Sequence, residues 1–332
     1  MPILKDSYMS DGIWITWENQ RRNKGIAESL GWKLYVIDVH ASPIIRYIIS
    51  ILKTVVVILK EKPISVAVQN PSIILAVCVA ILSPVMGYVF IMDAHNGGLR
   101  PLEGSSKILL IVARWLQKKA DITIVTNSIL KSHVDALGGR AISLPDKLPV
   151  VPEVQASKLD AAFSVAFICT FSIDEPFQEV FAAARLVSPT TMIYTTGKFQ
   201  GKINSDDVPS NIRLLGFVSE KTYWELLIAS DVIMDLTTRE NCLVCGAYEG
   251  VSLSKPLILS NTSATRSYFT KGCVYVDSNA SSIAKGIQIA QEKQAVLKKE
   301  IQDLKKEIEK GWEQSFLHLK SSIENRLKHG FI

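Results

Sequence analysis

Residues 231–260, DVIMDLTTRENCLVCGAYEGVSLSKPLILS, decide how this chain is read. Asp231 to Asp235 alternate as a buried strand does, and the polar run Thr237-Thr238-Arg239-Glu240-Asn241 follows. Apolar residues then recur at helical spacing from about Leu243 to Leu253, and Lys255-Pro256 ends the run. The pattern predicts strand, loop, helix, strand. A helix start leaves backbone N–H groups unpaired, and the helix dipole favours negative charge there, so such a start near Asn241 suits a phosphate. Glu249, late in the same helix, is placed to take both hydroxyls of a ribose. Phosphate at one end and ribose at the other describe a nucleotide. An ordinary α/β crossover with a polar loop is the plain alternative.

The bulk numbers set the frame. A chain of 332 residues has room for two domains, each with its own core. A hydrophobic fraction of 48% points to much buried parallel sheet or to a membrane-facing surface. Residues 1–150 hold 17 Lys and Arg against 11 Asp and Glu, and the rest holds 20 against 21, so the positive excess lies in the first half. A basic, apolar half favours an anionic partner such as a membrane surface or a lipid phosphate. Nucleic acid is disfavoured, because the cations are not interleaved with aromatics and no recognition motif occurs. Five unevenly spaced cysteines, read as lying mostly within apolar strands (Cys78, Cys169, Cys273), suggest a reducing compartment. Cys242 and Cys245 form a lone CxxC with no second pair and no nearby histidine, which favours packing in a helix's first turn over zinc.

Asp6 and Asp11, with no apolar stretch beside them, argue against a cleavable signal peptide. The nearly uncharged run Ile73–Met92 is long enough to suggest a membrane span, but Pro84 and Gly87 interrupt it. A helix of about eleven residues followed by a strand explains it better.

In chain order, residues 12–16 and 31–40 read as strands flanking a helix from about Asn23 to Leu30. The loop between, from Trp17 and Glu18 to Gly25, gathers Arg21, Arg22 and Lys24 at the helix start, where guanidinium forks and helix N–H groups suit a phosphate; a solvated basic loop is the alternative. Helices over residues 43–60 and 105–119 combine an apolar face with cations, as interfacial helices do. Residues 64–72 form a strand ending in Asn70-Pro71, and residues 88–99 form one that delivers Asp93, His95 and Asn96 into a Gly97-Gly98 loop. After a strand at 121–127 and a helix at 128–137, Pro145, Pro149 and Pro152 mark a hinge. Beyond it the β-loop-α alternation resumes, with strands at 164–170, 192–198, 212–218 and 274–277 and helices to about Leu186, over 220–230, over 281–310 and over 312–327. The expected domains are residues 1–148 and 149–310, with a C-terminal helix over 311–332.

Thr237-Thr238-Arg239, Gly246, Glu249 and Lys255-Pro256 resemble the donor-binding signature of nucleotide-sugar glycosyltransferases of the GT-B fold. The segment departs from that family in carrying eight residues between Glu240 and Glu249, with Asn241 where the first glutamate would stand. Thr170-Phe171 and Asp174-Glu175 resemble the first loop of the donor domain, and Gly216-Phe217-Val218 resembles the segment that clasps the base. No Arg/Lys pair for the diphosphate occurs at the first loop; Lys198 and Arg239 are the substitutes. The Asp93-x-His95-Asn96 strand is similar to one in the β-mannosyltransferase that elongates dolichyl-pyrophosphate chitobiose and in bacterial polysaccharide transferases.

This resemblance implies an α/β protein of the GT-B type, with two Rossmann-like doubly wound domains facing across a cleft and the last helix crossing back onto the first. It implies a hexosyltransferase that moves a sugar from a UDP- or GDP-linked donor to a lipid-pyrophosphate-linked glycan. The expected setting is surface polysaccharide synthesis, as of capsule or exopolysaccharide, peripheral to the cytoplasmic face of the plasma membrane. The donor is a co-substrate and no cofactor is implied; no Asp-x-Asp motif calls for a metal. Donor-binding residues are Thr170, Phe171, Lys198, Phe217, Val218, Thr237, Thr238, Arg239, Asn241, Gly246 and Glu249, and acceptor-binding residues are Trp17, Glu18, Arg21, Arg22 and Asn96. Asp93 is the expected general base of an inverting displacement, with His95 orienting the sugar or exchanging roles with it. A retaining transferase of the same fold and a non-catalytic subunit that activates a partner transferase are the other readings.

Overall fold

The computed structural model describes residues 11–70 and 72–329; the readings that rest on Asp6 and on Pro71 lie outside them. The chain divides into two compact units, one comprising residues through Lys147 together with those from Trp312, the other Leu148–Gly311.

The first unit runs β1 (Gly12–Thr16), α1 (Arg21–Leu30), β2 (Lys33–Val36), α2 (Pro43–Glu61), β3 (Ser65–Asn70), α3 (Ile73–Met86), β4 (Val89–Ala94), α4 (Asn96–Leu99), α5 (Lys107–Lys119), β5 (Ile122–Val125), α6 (Ser128–Ala136) and β6 (Ala141–Ser143). Its six strands are all parallel, in the order β2-β1-β3-β4-β5-β6. Alternate residues of each strand serve opposite faces. Ile13, Ile15, Val66 and Val68 pack with Ile58, Val79 and Leu116 of α2, α3 and α5, while Trp14, Ala67 and Ile91 pack with Ile26 of α1 and with Leu319 and Ile323. With both faces covered, these strands read as continuous apolar runs.

The second unit runs β7 (Phe163–Ile168), α7 (Phe177–Ala184), β8 (Thr191–Thr196), β9 (Ile212–Gly216), α8 (Glu220–Ala229), β10 (Val232–Asp235), α9 (Cys245–Ser252), β11 (Leu257–Ser260), α10 (Ser263–Tyr268), β12 (Cys273–Val276), α11 (Ala280–Glu292) and the part of α12 (Gln294–His329) up to Gly311, the rest of that helix belonging to the first unit. Its sheet, also six-stranded and parallel, has the order β12-β11-β10-β7-β8-β9. Caps mark several helix starts as their sequences suggest. The Ser219 hydroxyl accepts from Thr222 N at 3.2 Å, and the Asn279 side chain accepts from Ser282 N at 2.9 Å.

Several boundaries differ from expectation. The second strand closes at Val36, not at His40. The run from Ile73 does form a helix and then a strand, but α3 is 14 residues long, because Pro84 sits in its last turn and Gly87, at φ 75°, supplies the left-handed cap. Cys78 accordingly lies in a helix and not in a strand. The C-terminal helices break at Lys293, not at Gly311, so α12 runs 36 residues without interruption. A side chain added at Gly311 would meet no neighbouring atom, so nothing there calls for glycine and the helix passes through it at only the conformational cost of that residue.

Candidate functional site

In the second sheet the strand order reverses between β7 and β10, so the loops that follow them leave the carboxyl ends of adjacent strands in opposite directions. Such a switch point is where open α/β sheets take ligands. Asp174 joins the two loops. Its side chain accepts from the Thr237 hydroxyl at 3.1 Å and from the Ser172 hydroxyl at 2.8 Å, and its carbonyl accepts from Thr238 N at 2.8 Å. Arg239 Nη1 lies 3.4 Å from the same carboxylate. The structure thus brings Thr237, Thr238 and Arg239 to the loop that holds Thr170 and Phe171.

That first loop folds around Glu175. Its carboxylate accepts from the backbone N–H of Thr170 and of Ser172, each at 2.8 Å, and from the Thr170 hydroxyl at 3.1 Å. Phe171 between them takes a left-handed conformation, φ 58°, which turns both N–H groups toward one point, an anion-binding concavity filled by the loop's own carboxylate. Lys202 holds the outside of the turn, donating to the carbonyls of Thr170 and Phe171 at 3.0 and 3.1 Å. The lysine that reaches this loop is therefore Lys202 and not Lys198, which is exposed beside Gly197. Phe217 is 89% exposed just beyond β9, and Val218 is half-buried.

Helix α9 opens at Cys245, four residues beyond Asn241, where the sequence placed its start. The N–H of Gly246 is already bound, donating to Asp235 Oδ2 at 2.7 Å. A side chain at Gly246 would meet that carboxylate and Ile168, so glycine is what lets the helix start close on β10. Asp235 is buried, and burial first, then the charges of Glu175, Glu249 and Asp174, push its carboxyl well above the usual range, against the Gly246 hydrogen bond. Glu249 is also buried and accepts from the Tyr223 hydroxyl of α8, whose own pKa is raised by burial and by Glu249. The expected ribose-binding carboxylate thus has a tyrosine on it. Nothing in the local sequence of α9 announces Tyr223, Asp235 or Lys202, since each arrives from another element.

In the first unit the reversal lies between β1 and β3. Adjacent β4 delivers Asp93, whose side chain is fully buried. Arg22, from the first turn of α1, reaches it with Nε at 3.1 and 3.0 Å from the two carboxylate oxygens and Nη2 at 2.8 Å from Oδ1. The same guanidinium donates to Asp146 at 2.6 Å and to the Leu144 carbonyl at 2.8 Å. Burial alone would lower its pKa, but Asp93 and Asp146 raise it, so the cation is fixed. Arg22 was expected to grip a phosphate; with its side chain 5% exposed it instead balances a buried carboxylate. Arg21 remains exposed on the same turn.

His95 follows Asp93 at the end of β4, a third exposed, with Nε2 3.9 Å from Asp93 Oδ2. That nitrogen is shielded from solvent and has no hydrogen-bond partner. Asn96 is half-buried at the start of α4. Beside them the Thr16 hydroxyl and the Asn23 amide both donate to Gln69 Oε1 at 2.7 Å, a buried trio that the sequence did not announce. Trp17 donates through Nε1 to the Thr54 hydroxyl at 3.1 Å and lies 6.2 Å from the Tyr47 ring, which ties the loop after β1 to α2. Glu18, on that loop, accepts from Gln20 at 3.2 Å.

Among the described residues no group of three or more His, Cys, Asp or Glu side chains is arranged to hold a metal ion. The five cysteines form no disulfide; Cys245 is exposed as the first residue of α9 and Cys242 is half-buried. A cavity of about 550 Å³ opens at the amino ends of β5 and β6, lined by Asp121, Arg140, His318 and Arg326, away from the residues above.

No family model matches the sequence, and no curated protein does. Solved structures match nearly the whole chain. A sucrose-phosphate synthase from Thermosynechococcus elongatus superposes with a TM-score of 0.76 at 12% identity, covering 95% of this chain and 98% of its own. HepE of Anabaena, in complex with UDP-glucose, gives 0.70 at 14% identity over 93% and 99%. A glycosyltransferase from Rickettsia africae gives 0.64 at 12% identity over 95% and 90%.

Proposed function

We propose that this chain, whose two Rossmann-like units have the GT-B fold, is a nucleotide-sugar glycosyltransferase, moving a sugar from a UDP- or GDP-linked donor to a lipid-pyrophosphate-linked glycan at the inner face of the plasma membrane, without a metal, in surface polysaccharide synthesis. The observation that carries this reading is the pair of polar loops joined through Asp174 at the switch point of the second sheet.

In this reading the acceptor hydroxyl gives its proton to His95 as its oxygen forms a bond to the anomeric carbon. The bond from that carbon to the donor phosphate breaks, the nucleoside diphosphate departs, and the configuration inverts. His95 takes the role of base because Asp93 is already committed to Arg22; Asp93 then orients and charges the imidazole, and the 3.9 Å gap closes when substrate binds. Around the donor, Arg239 and Lys202 are the cations suited to the leaving phosphates, and the N–H groups of Thr170 and Ser172 join them once Glu175 gives way. Thr237, Thr238, Asn241 and Gly246 shape the loop, Phe217 and Val218 face the base, Glu249 the ribose, and Trp17, Glu18, Arg21 and Asn96 the acceptor.

One observation favours a second reading, a non-catalytic subunit that binds and activates a partner transferase. Asp174, Glu175, Asp235 and Glu249 crowd the same switch point, and Glu175 fills the nearest anion site. Purified protein incubated with membrane lipid extract and a panel of nucleotide sugars separates the two. Release of nucleoside diphosphate from one donor, lost in His95→Ala with nucleotide binding retained, supports the transferase. Neither binding nor release from any donor leaves the subunit reading.

A further inference from the structure

Helix α2 is more apolar outside than inside. The residues it buries are Ser50, Thr54 and Ile58, with Thr54 bonded to its own backbone and to Trp17. The residues it turns outward include Ile44, Ile48, Leu52, Val56 and Leu59, each more than half exposed. A surface helix in water has the opposite polarity. Helix α3 packs beside α2 and α5 beside α3, and both continue the apolar surface. Ile81 and Val85 stand out from α3, and Ile108, Ile111 and Trp115 from α5. Contiguous exposure on this scale marks a contact surface.

The charges on this layer have one sign. Arg46, Lys53 and Lys60 flank the outward stripe of α2, and Lys107, Arg114, Lys118 and Lys119 lie along α5, all exposed. Helix α3 carries no charge, and the single acid on the three helices, Glu61, is paired with Lys33 at 2.9 Å. Apolar side chains flanked only by cations match a bilayer with anionic headgroups: the chains enter the acyl boundary and the cations stay with the phosphates. Trp115 has the amphipathic ring that settles at such an interface. Among the described residues no helix is long and apolar enough to cross a membrane, so the contact is parallel to the surface.

We infer that the outer face of α2, α3 and α5 is a docking surface for an anionic lipid bilayer, lying in its interface. The Trp17–Thr54 hydrogen bond on the inner side of α2 ties that helix to the loop after β1, so docking through the outer face would hold the proposed acceptor loop close to the lipid headgroups. Only that last link rests on the function proposed above.

The test is co-sedimentation of the full chain with vesicles of phosphatidylglycerol mixed with phosphatidylcholine, and of phosphatidylcholine alone, at low and high salt, without sugar nucleotide. The expected result is retention on the anionic vesicles only, released by salt. Ile48→Asp with Leu52→Asp should weaken it about tenfold or more, and Lys53→Gln with Lys60→Gln about fivefold per cation removed. Leu317→Asp, an equally exposed position on α12, should leave it unchanged. Unaltered thermal melts of the variants show that folding is intact. Absence of binding to anionic vesicles at low salt, equal loss in Leu317→Asp, or a dimer in solution that Ile48→Asp with Leu52→Asp dissociates would each overturn the inference. Because no donor is present, failure of turnover with vesicle binding intact counts against the enzyme and not against the docking face.

Discussion

Arg22 and Asp93, 71 residues apart in sequence, are held together by three hydrogen bonds between guanidinium and carboxylate, with the carboxylate side chain wholly inside the protein. Removing Arg22 strands the Asp93 charge in the interior, whereas removing Asp93 leaves the guanidinium its bonds to Asp146 and to the Leu144 carbonyl. Arg22→Leu should cost about 3–5 kcal/mol, and Arg22→Leu with Asp93→Leu clearly less than the sum of the two single changes. Urea unfolding of the two single variants and the double variant measures this coupling; additive losses would mean that the pair contributes nothing as a pair.

His95 supplies a prediction about rate and not stability. In the proposed reaction His95→Ala should lower turnover about 10²–10⁴-fold while nucleotide affinity, measured by calorimetry, stays the same. Turnover within threefold of the wild type would remove His95 from the chemistry.

Asp235 makes stability depend on pH in an unusual direction. Its folded-state pKa is raised above the unfolded value of 3.8, so the folded protein binds the proton more tightly than the unfolded chain does. Its contribution is therefore fully present below that unfolded value and is lost as pH rises through the folded one, by up to about 1.4 kcal/mol per pH unit. Asp235→Asn keeps an acceptor for Gly246 N and removes this slope. Its melting temperature should rise relative to wild type as pH increases from 4 to 8, and a constant difference across that range would be the contrary result.

Two glycines test how tightly the loops of the second unit are set. At Gly197 φ is 102°, and an added Cβ would lie 1.9 Å from the Cys169 carbonyl oxygen, so Gly197→Ala should destabilise by more than about 1 kcal/mol. At Gly246 the added methyl meets Ile168 and Asp235, an overpacking cost of about 1–3 kcal/mol, and it should also weaken nucleotide binding. Denaturant midpoints and nucleotide titrations of the two variants read these effects; wild-type values for both would mean that the loops adjust freely.

Much of the architecture was legible in the sequence because its signals are local. GIWIT, SVAVQN and VIMD are apolar runs bounded by polar loops, and each became a fully buried parallel strand. The α12 boundary was not legible, since a lone glycine reads as a stop, yet the packing of Trp312, Leu319 and Ile323 carries the helix past it. The site was legible by address and not by partnership. Thr170 and Thr237 follow the carboxyl ends of β7 and β10, Asp93 lies at the end of β4, and His95 comes directly after that strand. That Arg22 would bond Asp93, Tyr223 would bond Glu249, and Glu175 would occupy its own loop depends on contacts between distant elements, which no local pattern encodes.

The division of the chain gives its synthesis an order. The first unit completes one face of its core with residues translated after the whole of the second: Trp312 donates to the Pro145 carbonyl at 3.1 Å, and Leu319, Ile323 and Leu327 fill the layer beneath Trp14 and Ile91. Residues 148–311 separate the two pieces. At about 5–20 residues per second that gap lasts roughly 8–30 s. During it the apolar face of the first sheet waits beside the ribosome without its cover, so a holdase chaperone or slower, cooler expression should raise the yield of folded protein more than any change to the second unit.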